Sequence, residues 1–347
     1  MSGGVDSSVA AAWLLEQGWD VIGVTLHLWD YPDDGSVRGR CCAPEDQHDA
    51  RRVADHLGIP HYTFDRRELF AREVVDPFVA SYLEGTTPSP CVACNRSVKM
   101  RELFALADRL GASKIATGHY ARVVERDGRL ELHRGRDATK DQSYFLHALS
   151  QEDLGRVVFP LGEADKVEVR EDALRRGLHG AQKGESQELC FVPTGRYDAF
   201  VEARAPERVR PGPILDETGR EVGRHGGVHR FTVGQRKGIG VALGKPVFVV
   251  DIDPETSAVR LGDVEELSHR GARLAGTRFF DDVQLPVRAL VQVRYRQEPK
   301  PATLERTENG VVVRFDEPIR AVVKGQVAVA YDGERVLGGG MIVEAIA

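Results

Sequence analysis

The sequence lacks any apolar run approaching the roughly 18 residues of a membrane-spanning helix, and it shows no charged-then-apolar leader. We therefore expect a cytoplasmic protein with no membrane partner. Lysine is scarce, supplying 9 of the 47 basic residues, and the formal net charge is -6. This acidity does not exclude a nucleic-acid partner, because salt screens charges beyond roughly 8 Å and the local surface decides.

Cysteine is also scarce, and an odd count of five argues against a framework of structural disulfides. The single Cys-x-x-Cys pair, Cys91 and Cys94, is flanked by prolines, and no second pair is present to complete a zinc site. With Cys190 as a third ligand, the pair could hold a 4Fe-4S cluster with one iron open to a substrate sulfur. Half of a zinc site and a redox pair are the alternatives. Cys41 and Cys42 stay unassigned.

The most informative stretch is Ser2-Gly3-Gly4-Val5-Asp6-Ser7-Ser8, which runs directly into an apolar, helix-prone segment. Adjacent glycines let backbone N–H groups converge on an oxyanion, and the helix start favours a di- or triphosphate. A carboxylate among phosphates suits a magnesium ligand, which assigns Asp6 to Mg2+. No lysine follows the glycines, which excludes a Walker A loop. A turn that merely caps a helix is the plainer alternative.

Apolar strands alternate with helices over the first half of the chain, which predicts a doubly wound α/β domain with a parallel sheet. The pattern predicts strands at 20–28, 61–65 and 113–117, helices at 44–57, 96–110 and 166–176, a helix at 66–84 interrupted at Pro77, and a hairpin at 123–134. Ligands bind at the carboxyl ends of such strands, so Leu26, Gly118 and His119 should lie near the phosphate loop.

The sequence pattern changes at about residue 205, beyond which prolines and glycines separate short strand-like segments. From about residue 270 the strands alternate in polarity, and Asn309-Gly310 and Asp332-Gly333 are strong hairpin signals. A small closed β-barrel fits this pattern best.

The phosphate loop resembles that of the ATP pyrophosphatase superfamily, whose members cleave ATP between the α and β phosphates and adenylate an oxygen. That superfamily places a buried strand just before the loop, whereas here the sequence begins at Met1. We expect that the start is mis-assigned and that several apolar residues are missing. The alternative is a sheet formed without its usual central strand.

Taken together, the motifs resemble one family along essentially the whole chain, the bacterial tRNA-specific 2-thiouridylases. The matching strings include Thr87-Pro88-x-Pro90, Ala116-Thr117-Gly118-His119-Tyr120, Lys140-Asp141-Gln142-Ser143, Cys190-Phe191, Gly234-Gln235-Arg236-Lys237-Gly238 and Arg294-Tyr295-Arg296-Gln297. The resemblance implies a catalytic domain at 1–195, a small central β-rich, tRNA-contacting domain at 196–268 and a C-terminal β-barrel at 269–347. It also implies 2-thiolation of the wobble uridine, by adenylation of O2 and then sulfur transfer to C2.

The resemblance also implies roles for individual residues. ATP would be held by Ser2, Gly3, Gly4, Val5, Asp6, Ser7, Ser8, Leu26 and Gly118. The tRNA would be contacted by Ser89, Pro90, Cys91, His119, Lys140, Asp141, Gln142, Arg294, Tyr295 and Gln326. Cys94 would be the nucleophile and Cys190 the persulfide carrier, with sulfur coming from a persulfide relay protein, a desulfurase or hydrosulfide.

The sequence departs from a large branch of that family at Cys91, where the branch has aspartate. A third thiol in that place favours a cluster-dependent enzyme, so a 4Fe-4S cluster on Cys91, Cys94 and Cys190 is preferred over a persulfide mechanism.

Local charge supports an RNA partner. Residues 204–237 contain eight basic and four acidic side chains in a glycine-rich segment, which suits phosphates. Arg294, Tyr295 and Arg296 combine charge with a stacking ring, as a splayed base requires.

Two other functions share these features. An amide-forming ligase of the same superfamily would adenylate a carboxylate and would not need the cysteines. A non-catalytic RNA-binding or iron-sulfur protein would keep the loop without releasing pyrophosphate.

Overall fold

The computed structural model describes residues 1–31, 44–181, 189–192, 195–320 and 322–347, so Cys41 and Cys42 lie outside the described residues. The chain divides into two compact units. The first unit comprises Met1–Val75, Pro90–Gly195 and Glu334–Val336, and the second comprises Asp76–Ser89, Arg196–Gly333 and Leu337–Ala347. Over the described ranges, no helix is both long enough and apolar enough to cross a bilayer.

The helices are α1 (Val5–Glu16), α2 (Pro44–Leu57), α3 (Arg67–Phe70), α4 (Asp76–Leu83), α5 (Pro90–Cys94), α6 (Met100–Leu110), α7 (Gln151–Arg156), α8 (Lys166–Arg175) and α9 (Tyr197–Arg204). Two π-helical segments occupy Ala71–Val75 and Asn95–Lys99, and 3-10 turns occupy Ser143–Leu146, Pro206–Arg208, Val228–Arg230 and Val264–Leu267. The strands are β1 (Gly23–His27), β2 (His61–Asp65), β3 (Ile115–Ala116), β4 (Ala121–Arg126), β5 (Arg129–Arg134), β6 (Val157–Val158), β7 (Gly212–Leu215), β8 (Glu221–His225), β9 (Phe248–Asp253), β10 (Ala258–Gly262), β11 (Ser268–Phe279), β12 (Val287–Gln292), β13 (Lys300–Thr307), β14 (Gly310–Arg320), β15 (Val327–Asp332) and β16 (Arg335–Ile346).

The first unit is an α/β domain with parallel strand pairing, as the alternation of strands and helices predicted. β1 pairs with β2 and β3 pairs with β6, both in parallel. Within the described ranges these are two separate pairs rather than one continuous sheet. Met1 lies beside β1, where the Thr25 hydroxyl donates to the Met1 carbonyl at 2.7 Å.

The core of this unit fixes the phosphate loop. Val9 and Ala10 of α1 pack with Leu161 and with Val169 of α8 in one buried cluster. Since α8 and α1 share this cluster, the first residues of both helices are held in a fixed relation.

One predicted break is in the wrong place. Pro77 is the second residue of α4, where a missing N–H costs no hydrogen bond, so the helix does not break there. The irregularity falls just before it, in the π-helical turn Ala71–Val75.

The second unit is built mainly from strands. β8, β7, β10 and β9 form a four-stranded sheet in that order. The strands β11, β14, β13, β12, β15 and β16 follow one another around a barrel, which closes because β11 also pairs with β16. The predicted hairpin turns at Asn309-Gly310 and Asp332-Gly333 join β13 to β14 and β15 to β16, which confirms the barrel.

Candidate active site

The predicted phosphate loop curls over the start of α1. Gly4 is the last residue before the helix, with φ -90° and ψ 160°. The backbone N–H of Ser2 donates to the Ser7 hydroxyl at 3.1 Å, and the hydroxyls of Ser7 and Ser8 donate to the Gly4 carbonyl at 3.2 and 2.9 Å. These bonds hold the turn in place in front of the first-turn N–H groups, where the helix dipole favours an anion.

Two glycines of the site have no room for a side chain. Gly3 has φ +69°, and a Cβ there would lie 2.3 Å from the carbonyl oxygen of Asp46. A Cβ on Gly118 would lie 2.9 Å from both the carbonyl carbon of Asp6 and the backbone nitrogen of Ser7. The structure therefore brings Gly118 against the phosphate loop, although the two are more than 100 residues apart. Leu26 lies near the carboxyl end of β1.

The carboxylate of Asp6 is held by two side chains. Lys166 Nζ donates to its two oxygens at 2.6 and 2.8 Å, and the Tyr120 hydroxyl donates to Oδ1 at 2.9 Å. The Lys166 side chain is only 10% exposed, against 35% for Asp6. The ammonium also lies 5.7 Å from the centroid of the Tyr120 ring. A buried cation therefore reaches the phosphate loop from α8.

Sequence reasoning missed Lys166, because it lies 160 residues from Asp6. A signal was available. Lys166 is the first residue of a helix whose start is fixed by a capping box of Asp165 and Glu168, and a cation there opposes the helix dipole. A lysine in that position indicates a local need for positive charge.

Lys140, Asp141 and Gln142 were predicted to touch tRNA, and the last two are engaged within the unit. The buried Asp141 carboxylate accepts from the N–H groups of Gly135 and Ser143 at 3.2 and 3.0 Å and from Arg134 at 3.0 Å. Gln142 Oε1 accepts from the Tyr120 N–H at 3.1 Å. Since Tyr120 donates to Asp6, this segment supports the phosphate loop from behind. Contact of these three residues with tRNA stays a prediction.

His119 is partly buried and follows Gly118, the glycine that packs against the phosphate loop. Its Nδ1 is 2.8 Å from the Thr117 hydroxyl, and its ring meets Phe159 edge-on at 6.2 Å. Burial, with a smaller effect of Lys99, lowers the pKa of His119 to about 3. The imidazole is therefore neutral at physiological pH and is suited to hydrogen bonding or stacking with a base rather than to pairing with a phosphate.

The Cys-x-x-Cys pair lies on the helical turn α5. Cys91 is exposed and Cys94 is buried, and neither forms a disulfide. The buried Asn95 side chain donates to the Cys91 carbonyl at 2.9 Å. Cys91 is therefore more accessible to solvent than Cys94.

The predicted three-cysteine cluster site is not supported. No group of three or more cysteine, histidine or acidic side chains among the described residues is placed to hold a metal ion. Cluster thiolates must converge on one point, and the exposed Cys91 and the buried Cys94 form no such group with a third ligand among the described residues.

Cys190 lies within the same unit and is partly exposed. Its neighbour Phe191 packs edge-on against Trp29 and Phe70, with ring centroids 6.2 and 5.7 Å apart. The π-helical turn that follows Phe70 packs in turn against α5. One continuous layer of packed side chains and backbone thus runs from the residue beside Cys190 to the helix of Cys94.

Fewer basic side chains at residues 204–237 are available to bind phosphates than the composition of this segment suggests. Four arginines are paired with acidic side chains of the same unit: Arg204 with Asp76, Arg220 with Asp216, Arg224 with Glu221 and Arg230 with Glu202. The other four cations, Arg208, Arg210, Arg236 and Lys237, are exposed and have no side-chain partner in the described part of the chain. The charge available to an external phosphate is therefore concentrated on these four residues.

The Arg294–Arg296 segment forms a tight turn after β12. Arg296 has φ +65°, a strained value for a residue with a side chain, and its guanidinium lies 5.5 Å from the centroid of the Tyr295 ring. Arg294 is exposed. The turn presents two cations and one aromatic ring together, as was predicted for contact with a splayed base.

Comparison with known proteins places these features in one context. Three family descriptions match the chain: "tRNA methyl transferase HUP domain" over residues 1–194, "tRNA methyl transferase PRC-barrel domain" over 198–263 and "Aminomethyltransferase beta-barrel domain" over 271–342. A curated relative from Sorangium cellulosum, named tRNA-specific 2-thiouridylase MnmA, is 64% identical over 100% of this chain and 91% of its own length. Relatives of the same name from Moorella thermoacetica and Carboxydothermus hydrogenoformans are 51% and 48% identical, each over 99% of this chain and over 98% and 96% of their own lengths.

Proposed function

Since the chain belongs to the family of tRNA-specific 2-thiouridylases, we propose that it uses ATP to replace O2 of the wobble uridine of tRNA by sulfur. The observation that carries this proposal is the glycine-lined loop at the start of α1, with Gly118 packed against it and Lys166 reaching Asp6.

The first step activates a poor leaving group. Uridine O2 attacks the α-phosphorus of ATP, forming an O2 adenylate and releasing pyrophosphate. The first-turn N–H groups of α1 and the Lys166 ammonium supply positive charge for the departing pyrophosphate. The ribose, base and α-phosphate would meet the predicted ATP residues Leu26 and Gly118.

Magnesium fits this site. Asp6 offers a partly exposed carboxylate at the phosphate loop, and the three hydrogen bonds from Lys166 and Tyr120 leave a lone pair on Oδ2 for a cation. Asp6 would hold Mg2+, which would neutralise phosphate charge during adenylation.

The second step uses the cysteines without a cluster. The terminal sulfur of a Cys190 persulfide attacks C2 and expels AMP, leaving the uridine joined to Cys190 through an S–S bond. The Cys94 thiolate then attacks Cys190 Sγ, which releases 2-thiouridine and forms a Cys94–Cys190 disulfide. An external dithiol reduces that disulfide, and an external persulfide then transfers its outer sulfur to the Cys190 thiolate, which regenerates the Cys190 persulfide and leaves the donor as a thiolate.

The tRNA would be bound by the exposed cations and the aromatic turn. Arg208, Arg210, Arg236 and Lys237 suit backbone phosphates, and the Arg294–Arg296 turn suits a base that has left its stack. Neutral His119, with Ser89, Pro90 and Cys91, would lie around the target uracil. A compartment that contains tRNA, ATP and a persulfide source, as the cytoplasm does, would suit this activity.

The test is a reconstituted reaction with unmodified tRNA, MgATP and a persulfide donor. We expect 2-thiouridine, AMP and pyrophosphate in equal amounts, and loss of 2-thiouridine in both Cys94→Ser and Cys190→Ser. Pyrophosphate release that requires ammonia and survives both substitutions would instead identify an amide-forming ligase. No pyrophosphate release with any tRNA and donor would contradict an enzymatic role.

A further inference from the structure

The loop at residues 322–326, which precedes β15, forms hydrogen bonds with the backbone of another segment of the second unit, residues 87–88. Gln326 Nε2 donates to the carbonyl oxygens of Thr87 and Pro88 at 3.0 and 3.1 Å. The Thr87 N–H donates to the Lys324 carbonyl at 3.0 Å. Three hydrogen bonds therefore tie two consecutive residues to one loop of the barrel.

The contact is also close sterically. Gly325 has φ +89°, and a Cβ there would lie 2.8 Å from the Thr87 carbonyl oxygen and 3.2 Å from its nitrogen. The Gln326 backbone is itself anchored, because its N–H donates to the Val323 carbonyl and its carbonyl accepts from the Ile342 N–H at 2.8 Å. The backbone that carries the Gln326 side-chain amide is thus held in place.

The gripped segment needs such a donor. In Thr87-Pro88-Ser89-Pro90 both prolines lack an N–H, so the segment cannot form an ordinary ladder or helical turn. Its carbonyls are partly buried and must find donors elsewhere. A primary amide is well matched to this need, because one nitrogen carries two N–H groups for two successive carbonyls.

The chain runs from this segment directly into α5, whose first residue is Pro90 and whose last is Cys94. We propose that Gln326 is a positioning residue for sulfur transfer: by fixing the Thr87 and Pro88 carbonyls, it sets the start of α5 and hence the placement of the Cys94 thiol. This inference rests on the proposed role of Cys94. It differs from the role that the family resemblance implies for Gln326, which is contact with tRNA.

The test compares donor-lacking and donor-retaining substitutions. Gln326→Met and Gln326→Glu remove the N–H groups, whereas Gln326→Lys keeps a donor on a side chain of similar length. Gln284→Met is the matched control, since Gln284 is an exposed glutamine of the same barrel domain without a side-chain partner in the described part of the chain. Folding of each variant is checked by thermal unfolding, and Gln326→Lys remains informative if a donor-lacking variant fails to fold.

Three quantities are measured: the rate of Cys94 alkylation in the absence of tRNA, the Kd for tRNA, and the single-turnover rate of thiolation at saturating tRNA. We expect the donor-lacking variants to alkylate Cys94 severalfold faster and to thiolate about 10-fold to 100-fold more slowly, because small misplacements of a reacting group carry costs of this size. Their Kd should change less than about twofold. Gln326→Lys and Gln284→Met should keep the wild-type alkylation rate.

A tRNA contact gives the opposite pattern. A Kd weakened in all three Gln326 variants, with an unchanged alkylation rate and full thiolation at saturating tRNA, would overturn the proposal. So would wild-type behaviour of Gln326→Met in every measurement. The alkylation rate does not depend on thiolation, so it still tests the positioning role if the proposed function itself fails.

Discussion

Lys166 Nζ lies 2.6 and 2.8 Å from the two carboxylate oxygens of Asp6, so the first residue of one helix neutralises the acid in the phosphate loop of another. Val5, which precedes Asp6, and Ala164 and Val169, which lie on either side of Lys166 in the sequence, belong to one buried cluster, and this cluster fixes the relation of the two residues. Burying the Lys166 ammonium costs free energy, and the ion pair with Asp6 offsets that cost. The same ion pair orients the ammonium before ATP binds, at the position where the phosphates would lie.

Lys166→Met should therefore impair adenylation. We expect pyrophosphate release with tRNA and ATP to fall by about 10²-fold to 10³-fold, the usual cost of losing one charge-stabilising donor. Lys114→Met is the control, because Lys114 is exposed and donates to a backbone carbonyl away from the loop. Equal pyrophosphate release by Lys166→Met and wild type would contradict the role of this lysine.

Gly118→Ala should weaken ATP binding while leaving the fold intact. Its Cβ would meet backbone atoms of Asp6 and Ser7 at 2.9 Å, and backbone cannot move aside as a side-chain end can. We expect the KM for ATP to rise about 10-fold to 100-fold through displacement of the loop.

The control for this glycine is Gly155→Ala. A Cβ on Gly155 would make only an ordinary contact at 3.8 Å with a Leu130 methyl. Its KM for ATP should equal that of wild type. A Gly118→Ala enzyme with an unchanged KM would show that the loop tolerates the displacement.

The predictable parts of the structure are those that depend on residues close together in the sequence. Turn dipeptides such as Asp332-Gly333 fix hairpins because few residues adopt a left-handed backbone, and the phosphate loop follows from its glycines and the helix behind it. Contacts between distant residues leave no periodic signal, so the pairing of Lys166 with Asp6 was missed. The same holds for the ion pairs that neutralise Arg220 and Arg224, and for the diverging exposure of Cys91 and Cys94.

Ion pairing makes a testable distinction among the arginines. Replacing Arg236 and Lys237 by Gln should lower the slope of log Kd against log salt by about 0.7 to 0.9 for each phosphate that the variant no longer binds. Replacing Arg220 and Arg224 by Gln should leave the slope nearly unchanged, because those guanidiniums are already paired with Asp216 and Glu221. The slopes are measured by filter binding over a salt series. Equal slopes for the two double variants would show that arginines in internal ion pairs contact tRNA phosphates as much as the unpaired cations do.

Acid should destabilise the first unit through His147. This side chain is buried, and its Nδ1 lies 2.9 Å from the Tyr144 carbonyl. Burial, with a smaller effect of Arg96, lowers the pKa of His147 to about 4 from its ordinary 6.5. Between these values the unfolded chain binds the proton and the folded chain does not, so the free energy of unfolding must fall as pH falls.

The three tryptophans of the chain, Trp13, Trp19 and Trp29, all lie in the first unit, so urea unfolding followed by their fluorescence reports on that unit. From pH 7 to pH 5 we expect His147 to contribute a loss of at most about 2 kcal/mol. His147→Gln should be less stable than wild type at pH 7, because the buried ring is lost, yet should lose less stability between pH 7 and pH 5. His119, whose pKa is lowered in the same direction, titrates in both proteins, so the difference between them isolates His147. The same fall in both proteins would mean that His147 binds its proton over the same pH range in the folded and the unfolded chain, which would contradict the lowered pKa of the buried ring.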